Sequence, residues 1–227
     1  SSPKMVLANR RKEAVRQSAV SFKTKGLTFE GVMAQPEQEI SSLPGVVICH
    51  PHPLFGGNMD NNVVLAVSHA LVERGFVTLR FNFRGVGNSE GEHSKGEQES
   101  QEVLAALDLM RAWPGVDSKK IGLAGYSFGS SVVLGSASLH KKVKAIALIS
   151  PPLRAVESTP LKKGKQPTFI ITGDRDKLVQ SDQLDSVLGA FSRKPVVSIV
   201  AGADHFWAGH ENEMIPEVVK HFSEHLK

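Results

Sequence analysis

The stretch Gly125-Tyr126-Ser127-Phe128-Gly129 sets a serine between two glycines, directly after the apolar run Ile121-Gly122-Leu123-Ala124. Read as strand, sharp turn and helix, it is a nucleophile elbow. The turn lifts the hydroxyl clear of the backbone, and the glycines remove the side-chain carbons that would clash where the turn packs. The serine then stands at a helix N-terminus, where backbone N–H groups and the helix dipole favour negative charge. A serine hydroxyl is a weak nucleophile until a base takes its proton, and that base works best when a carboxylate orients it. Candidates for both follow in the chain. Gly173-Asp174-Arg175-Asp176 offers two carboxylates, and Ala201-Gly202-Ala203-Asp204-His205-Phe206 offers a histidine beside a third.

Each of these segments comes just after an apolar run of strand length. Residues 20–25 and 27–34 flank Gly26 and read as an antiparallel pair. Strands are expected at 45–49, 76–81, 121–124, 145–149, 168–172 and 196–200. Helices are expected at 62–74, 97–113, 130–139, 181–191 and 213–225. Strands alternating with helices of this length imply an α/β fold. A mostly parallel twisted sheet carries helices on both faces and is preceded by the N-terminal antiparallel strand pair. Ligands on such sheets bind beyond the carboxyl ends of the strands, which is where the serine, the aspartates and the histidine all fall. The chain reads as one domain, 1–227, with 1–18 an N-terminal extension whose first residues, before Met5, have the look of a vector remnant.

Two further loops lie at strand ends: His50-Pro51-His52-Pro53-Leu54-Phe55-Gly56-Gly57-Asn58-Met59-Asp60 and Arg84-Gly85-Val86-Gly87-Asn88-Ser89-Glu90-Gly91. With the elbow and the Gly173 and Gly202 turns, they resemble the α/β-hydrolase superfamily over nearly the whole chain. The closest likeness is to small, lidless bacterial esterases related to dienelactone hydrolases. The resemblance implies a carboxylesterase-like serine hydrolase with Ser127 as nucleophile and His205 as base. The family turn places the acid three residues after its glycine, which selects Asp176 and leaves Asp174 and Asp204 as turn residues. His210 lies further along the loop, and His221 and His225 are expected at the surface of the last helix. An oxyanion hole needs two backbone donors. One is the N–H of Phe128. The other comes from the loop after His50, where Pro51 and Pro53 have no N–H to give. The family uses the residue after a His-Gly pair; with His52-Pro53 in its place the donor is Leu54, and His52 is the rival. Phe55, Tyr126 and Trp207 are the expected substrate-binding walls, alongside Phe128, Leu153 and Phe206.

Residues 150–166 are too few, and Pro151, Pro152 and Pro160 too disruptive, for a helical cap. An open, shallow site for short acyl chains is therefore expected, with minimal or absent lid. Composition is that of an ordinary globular protein, at 41% hydrophobic and 22% charged residues. No run approaches a membrane span, and no membrane association is expected. The net charge of +4 is spread out, and the basic runs at 9–12 and 162–165 lack interleaved stacking aromatics, so nucleic acid is not an expected partner. His50 and His52 lack a third ligand for a metal, and neither metal nor cofactor is expected. The lone Cys49 excludes an intramolecular disulfide, reads as a small buried hydrophobe and fits a cytoplasmic location. The expected partner is a small-molecule ester; monomer and homodimer both stay open. Two other readings are a thioesterase or peptidase on the same residues, and a catalytically silent binding protein on a hydrolase scaffold.

Overall fold

The structure, a computed structural model, describes residues 15–38 and 41–227. The basic run at 9–12 and most of the expected N-terminal extension lie outside them. Strands β1 (Val15–Thr24) and β2 (Leu27–Pro36) form a hairpin closed by Lys25-Gly26, both residues at positive φ. β2 pairs antiparallel with β4 (Val77–Phe81). Every later pairing is parallel: β4 with β3 (Leu43–Cys49), β3 with β5 (Val116–Tyr126), then β6 (Ala145–Ile149), β7 (Thr168–Gly173) and β8 (Val196–Val200) in turn. The sheet order is β1-β2-β4-β3-β5-β6-β7-β8.

Alternation along these strands builds two cores, because successive side chains point to opposite faces. Val46 and Ile48 of β3 face Val63, Val67 and Leu71 of α1 (Asn62–Glu73) and the Met214, Val218 and Phe222 stripe of α7 (Glu211–Leu226). Val47 and Cys49 belong to the opposite core, with Val103, Leu107 and Met110 of α2 (Glu99–Ala112) and Val132 and Val133 of α3 (Phe128–Leu134). Strands buried on both sides read as continuous apolar runs, which is why 45–49 and 145–149 were legible as strands.

Several elements differ from expectation. The first strand begins at Val15 rather than residue 20, and β5 begins at Val116, where it still pairs with Leu43. The helix expected at 130–139 starts two residues earlier and breaks at Gly135-Ser136, with a single turn, α4 (Ala137–His140), beyond the break. Ser136 is extended there, so the helix cannot run through. The helix expected at 181–191 shrinks to a 3₁₀ turn and the five residues of α6 (Leu184–Leu188), ending at Gly189, and Phe191 reaches the core from the turn beyond it. Short helices hold only where packing supports them. Between β6 and β7 lie only α5 (Leu153–Ser158) and a 3₁₀ turn at Pro160–Lys163. The fold is a lidless α/β hydrolase fold.

Candidate active site

Ser127 sits between β5 and α3 at φ 53°, ψ −112°, a conformation that a non-glycine residue holds only when its surroundings impose it. Those surroundings are specific. The Ser127 N–H donates to the Ile149 carbonyl at 2.9 Å, and the Ser130 hydroxyl donates to the Gly125 carbonyl at 2.6 Å. A side chain on Gly129 would meet the Cys49 carbonyl oxygen at 2.3 Å, and one on Gly125 would meet the Gly129 backbone at 2.7 Å. The two glycines therefore let α3 start directly against the end of β3.

The Ser127 Oγ lies 2.8 Å from His205 Nε2, and His205 Nδ1 lies 2.8 Å from Asp176 Oδ2. With Nδ1 carrying its proton and donating it in a hydrogen bond to the carboxylate, Nε2 is left as the acceptor facing the serine. Asp176 has a fully buried side chain, and its Oδ1 accepts the N–H groups of Leu178 at 3.0 Å and Val179 at 3.2 Å. Burial pushes the Asp176 carboxyl up. The hydrogen bond and charge of His205, with Ser150 and the Leu178 N–H, outweigh that and hold it below its ordinary value. Asp174 turns away: its Oδ1 accepts the Gly202 N–H at 2.8 Å and so braces the β7 loop against the β8 loop. Asp204 accepts the N–H of Phe206 at 2.9 Å, a local turn contact. The structure thus brings Ser127, His205 and Asp176 into one hydrogen-bonded chain and leaves Asp174 and Asp204 out of it.

The other histidines have separate places. His50 is fully buried; its Nδ1–H reaches the Pro51 carbonyl at 2.7 Å and its Nε2 accepts the Phe83 N–H at 3.0 Å. Burial pushes this imidazole down to about 4, and the Pro51 contact offsets only part of that. His50 is a neutral brace between the loops that follow β3 and β4. His210 pairs with Glu213 on the surface at 2.6 Å. His221, expected at the surface, is 6% exposed and stacks on Phe169, because its helical position falls on the apolar stripe of α7. The Arg84–Gly91 loop is likewise a brace: Arg84 forms a buried ion pair with Glu102, and the Ser89 hydroxyl donates to the Asn82 carbonyl at 2.6 Å.

In front of Ser127 lies a cavity of about 530 Å³ whose lining is mostly apolar. Phe55, Tyr126, Phe128 and Phe206 line it as expected; His52, Asn61, Pro152 and Leu178 join them. Leu178 was missed, although its position on the loop after β7 was the available signal. Trp207 is a correction. It is fully buried in the core between α7 and the sheet, with its Nε1–H on the Ser150 Oγ at 3.0 Å, and it does not line this cavity. Trp207 sits at φ 64°, and its indole enters the core while Phe206 stays exposed. Leu153 is also packed into a core and does not line the cavity.

The loop after β3 bears on the second oxyanion donor. The Leu54 N–H donates to His52 Nδ1 at 3.2 Å, and Leu54 is 69% exposed and absent from the cavity wall. His52 lines the cavity. Among the described residues, the N–H groups of His52 and Phe128 have no hydrogen-bond acceptor.

Comparison with known proteins agrees with this architecture. A profile of the dienelactone hydrolase family matches residues 29–225. An uncharacterized Rickettsia prowazekii protein, RP471, is 35% identical over 173 residues, 72% of either chain. Among solved structures, an alpha-beta serine hydrolase homologue from Coxiella burnetii superposes with a TM-score of 0.78 at 32% identity, covering 89% of this chain and 96% of that one. XC6422 from Xanthomonas campestris, described as an α/β serine hydrolase without lid, superposes with a TM-score of 0.79 at 26% identity, over 92% and 94%. Among the described residues, no helix is long and apolar enough to cross a membrane.

Proposed function

This chain belongs to the dienelactone hydrolase family and is a hydrolase, and from that premise we propose that it cleaves carboxylic esters through an acyl-enzyme on Ser127. The carrying observation is the unbroken hydrogen-bond chain from Ser127 to His205 to Asp176, opening on an apolar cavity. In this reading Ser127 Oγ attacks the ester carbonyl while His205 Nε2 takes its proton. Asp176 holds the imidazole in the tautomer that can do so and stabilises the imidazolium. The carbonyl oxygen becomes an oxyanion between the N–H of Phe128 and that of His52. We assign His52 rather than Leu54, because the Leu54 N–H is already accepted within its own loop. His205 then protonates the leaving alcohol, and a water that it deprotonates releases the acid.

The cavity has to hold both halves of the ester, and its outer walls are open. Phe55 is 86% exposed, Phe206 68% and Leu178 63%. Methylenes laid on these side chains stay half in water and contribute less than the ~0.8 kcal/mol of a buried CH₂. The acyl group is accordingly short, with kcat/KM peaking from acetyl to butyryl and falling at octanoyl.

Labelling by a fluorophosphonate probe, lost in Ser127→Ala, together with a p-nitrophenyl ester chain-length series tests this. A folded protein that neither labels nor turns over any ester or thioester would instead be a binding protein. A preference for lauryl or palmityl esters would overturn the short-acyl reading.

A further inference from the structure

The two proposed oxyanion donors belong to different segments, the loop after β3 and the first turn of α3. Main-chain hydrogen bonds do not tie one N–H to the other. Three aromatic rings do the joining. The rings of His52 and Phe128 lie 5.1 Å apart, His93 lies 5.0 Å from His52, and His93 lies 5.2 Å from Phe128. His93 thus packs at once on the side chains of both donor residues, from a loop that belongs to neither.

His93 is itself held in an unusual way. Its side chain is 10% exposed, yet neither ring nitrogen has a hydrogen-bond partner among the described residues. Leaving a buried polar group unsatisfied is costly, so such a group in a native structure calls for a reason. The fully buried carboxylate of Glu99 lies 3.5 Å from His93 Nδ1. Burial raises the Glu99 carboxyl, but its hydrogen bonds lower it further: it accepts the Ser94 N–H at 2.8 Å, the Ser94 hydroxyl at 2.6 Å and the Gly96 N–H at 2.9 Å. Glu99 therefore fixes the loop carrying His93 at its base, with a negative charge beside the imidazole edge. The imidazole ring itself bears on His52 and Phe128.

We propose that His93 is a positioning residue for the oxyanion hole, setting the separation of the His52 and Phe128 N–H groups through its packing on both side chains. This rests on the reading of those two groups as the oxyanion donors. A donor matters most where charge develops, so misplacing one weakens transition-state binding far more than substrate binding. Removing a donor outright costs about 10²–10³ in kcat. A donor displaced but still present should cost about tenfold on the same scale.

The test compares His93→Ala with His93→Phe in steady-state hydrolysis of p-nitrophenyl butyrate and in inhibition by an alkyl trifluoromethyl ketone, whose serine adduct carries an oxyanion. In His93→Ala, kcat is expected to fall about tenfold with KM within threefold, and ketone affinity to fall in proportion. His93→Phe, which keeps a flat ring, should stay within threefold of wild type. Should His93→Ala fail to fold, His93→Leu fills the space without a flat ring and is expected to show the same loss. A kcat within twofold of wild type in the ring-less variant overturns the assignment. So does a rise in KM at constant kcat, or an equal loss in His93→Phe. A wild-type protein that neither labels at Ser127 nor hydrolyses esters would overturn the proposed function and this assignment together. An active, labelled wild type with an indifferent His93→Ala counts against this assignment alone.

Discussion

Replacing Asp176 by Asn changes one atom of the site and should nearly silence it. Asp176 accepts four hydrogen bonds, from His205 Nδ1 at 2.8 Å, the N–H groups of Leu178 and Val179 at 3.0 and 3.2 Å, and the Thr172 hydroxyl at 3.4 Å. Asn keeps an oxygen where Oδ1 was, so the Leu178 and Val179 contacts survive and the fold is spared. Thr172 can turn its hydroxyl to accept. His205 has a harder adjustment: facing an NH₂ donor, Nδ1 must become an acceptor, and the proton moves to Nε2. Nε2 then donates to Ser127 Oγ, 2.8 Å away, and cannot take its proton. In serine proteases the equivalent exchange costs about 10⁴ in kcat. A loss of about 10³–10⁴ is expected here, or about 4–5.5 kcal/mol of transition-state stabilisation at ~1.36 kcal/mol per decade. The assay is p-nitrophenyl butyrate hydrolysis, with a thermal melt to show that the variant is folded. His205→Ala should fall at least as far, and Asp174→Asn should stay within about threefold of wild type, since either side chain can accept the Gly202 N–H. A loss below tenfold in Asp176→Asn, or a larger loss in Asp174→Asn, would refute the reasoning.

Gly129→Ala should abolish activity and lower stability sharply, because its methyl would sit 2.3 Å from the Cys49 carbonyl oxygen and force α3 away from β3; normal kcat in a folded variant would contradict the elbow geometry. Trp207→Ala should cost about 3–5 kcal/mol, visible as a fall of about 10 °C in Tm. Trp207→Phe should leave the chain-length preference unchanged, and a shifted preference would return Trp207 to the substrate site. Stability should drop as the pH is lowered from 6.5 to about 4, the window over which His50 and His221 stay neutral in the fold but charge in the unfolded chain. Burial depresses both, so the unfolded state binds more protons in that range and gains on acidification. Each contributes about 3–4 kcal/mol across the span from 6.5 to about 4, at ~1.4 kcal/mol per pH unit. Melts at pH 7, 5.5 and 4.5 check this, and His221→Leu should flatten part of the slope; a Tm independent of pH across the window would be the contrary result.

What was legible in the amino-acid order was whatever depends on neighbours in the chain. The elbow needs glycine at 125 because a side-chain carbon there would strike the backbone of Gly129 and Ser130 a few residues on; the need at 129 comes from Cys49 and His50 across the fold. The strand runs were readable because a parallel sheet buries both faces, and strand ends then pointed to Ser127, His205 and the pair Asp174 and Asp176 by the rule that sites collect there, with the family resemblance choosing Asp176. Side-chain direction was not legible. Phe206 and Trp207 are adjacent and both aromatic, yet one lines the cavity while the other is sealed in the core, with a positive φ at Trp207 and its indole N–H held by the Ser150 hydroxyl. Leu54 and His52 could not be separated by spacing, since the difference is a hydrogen bond inside a loop whose path is set by what it packs on. Helix lengths at 130–139 and 181–191 were overestimated because periodicity records which residues are apolar and not the backbone path between them: Leu139 and Phe191 are both buried in the core, yet the chain leaves the helix before them, at Gly135-Ser136 and at Gly189. His93 carried no local signal at all. It meets His52 and Phe128 only because parallel strands bring the loops after β3, β4 and β5 to one edge of the sheet, and that juxtaposition exists only in the folded chain.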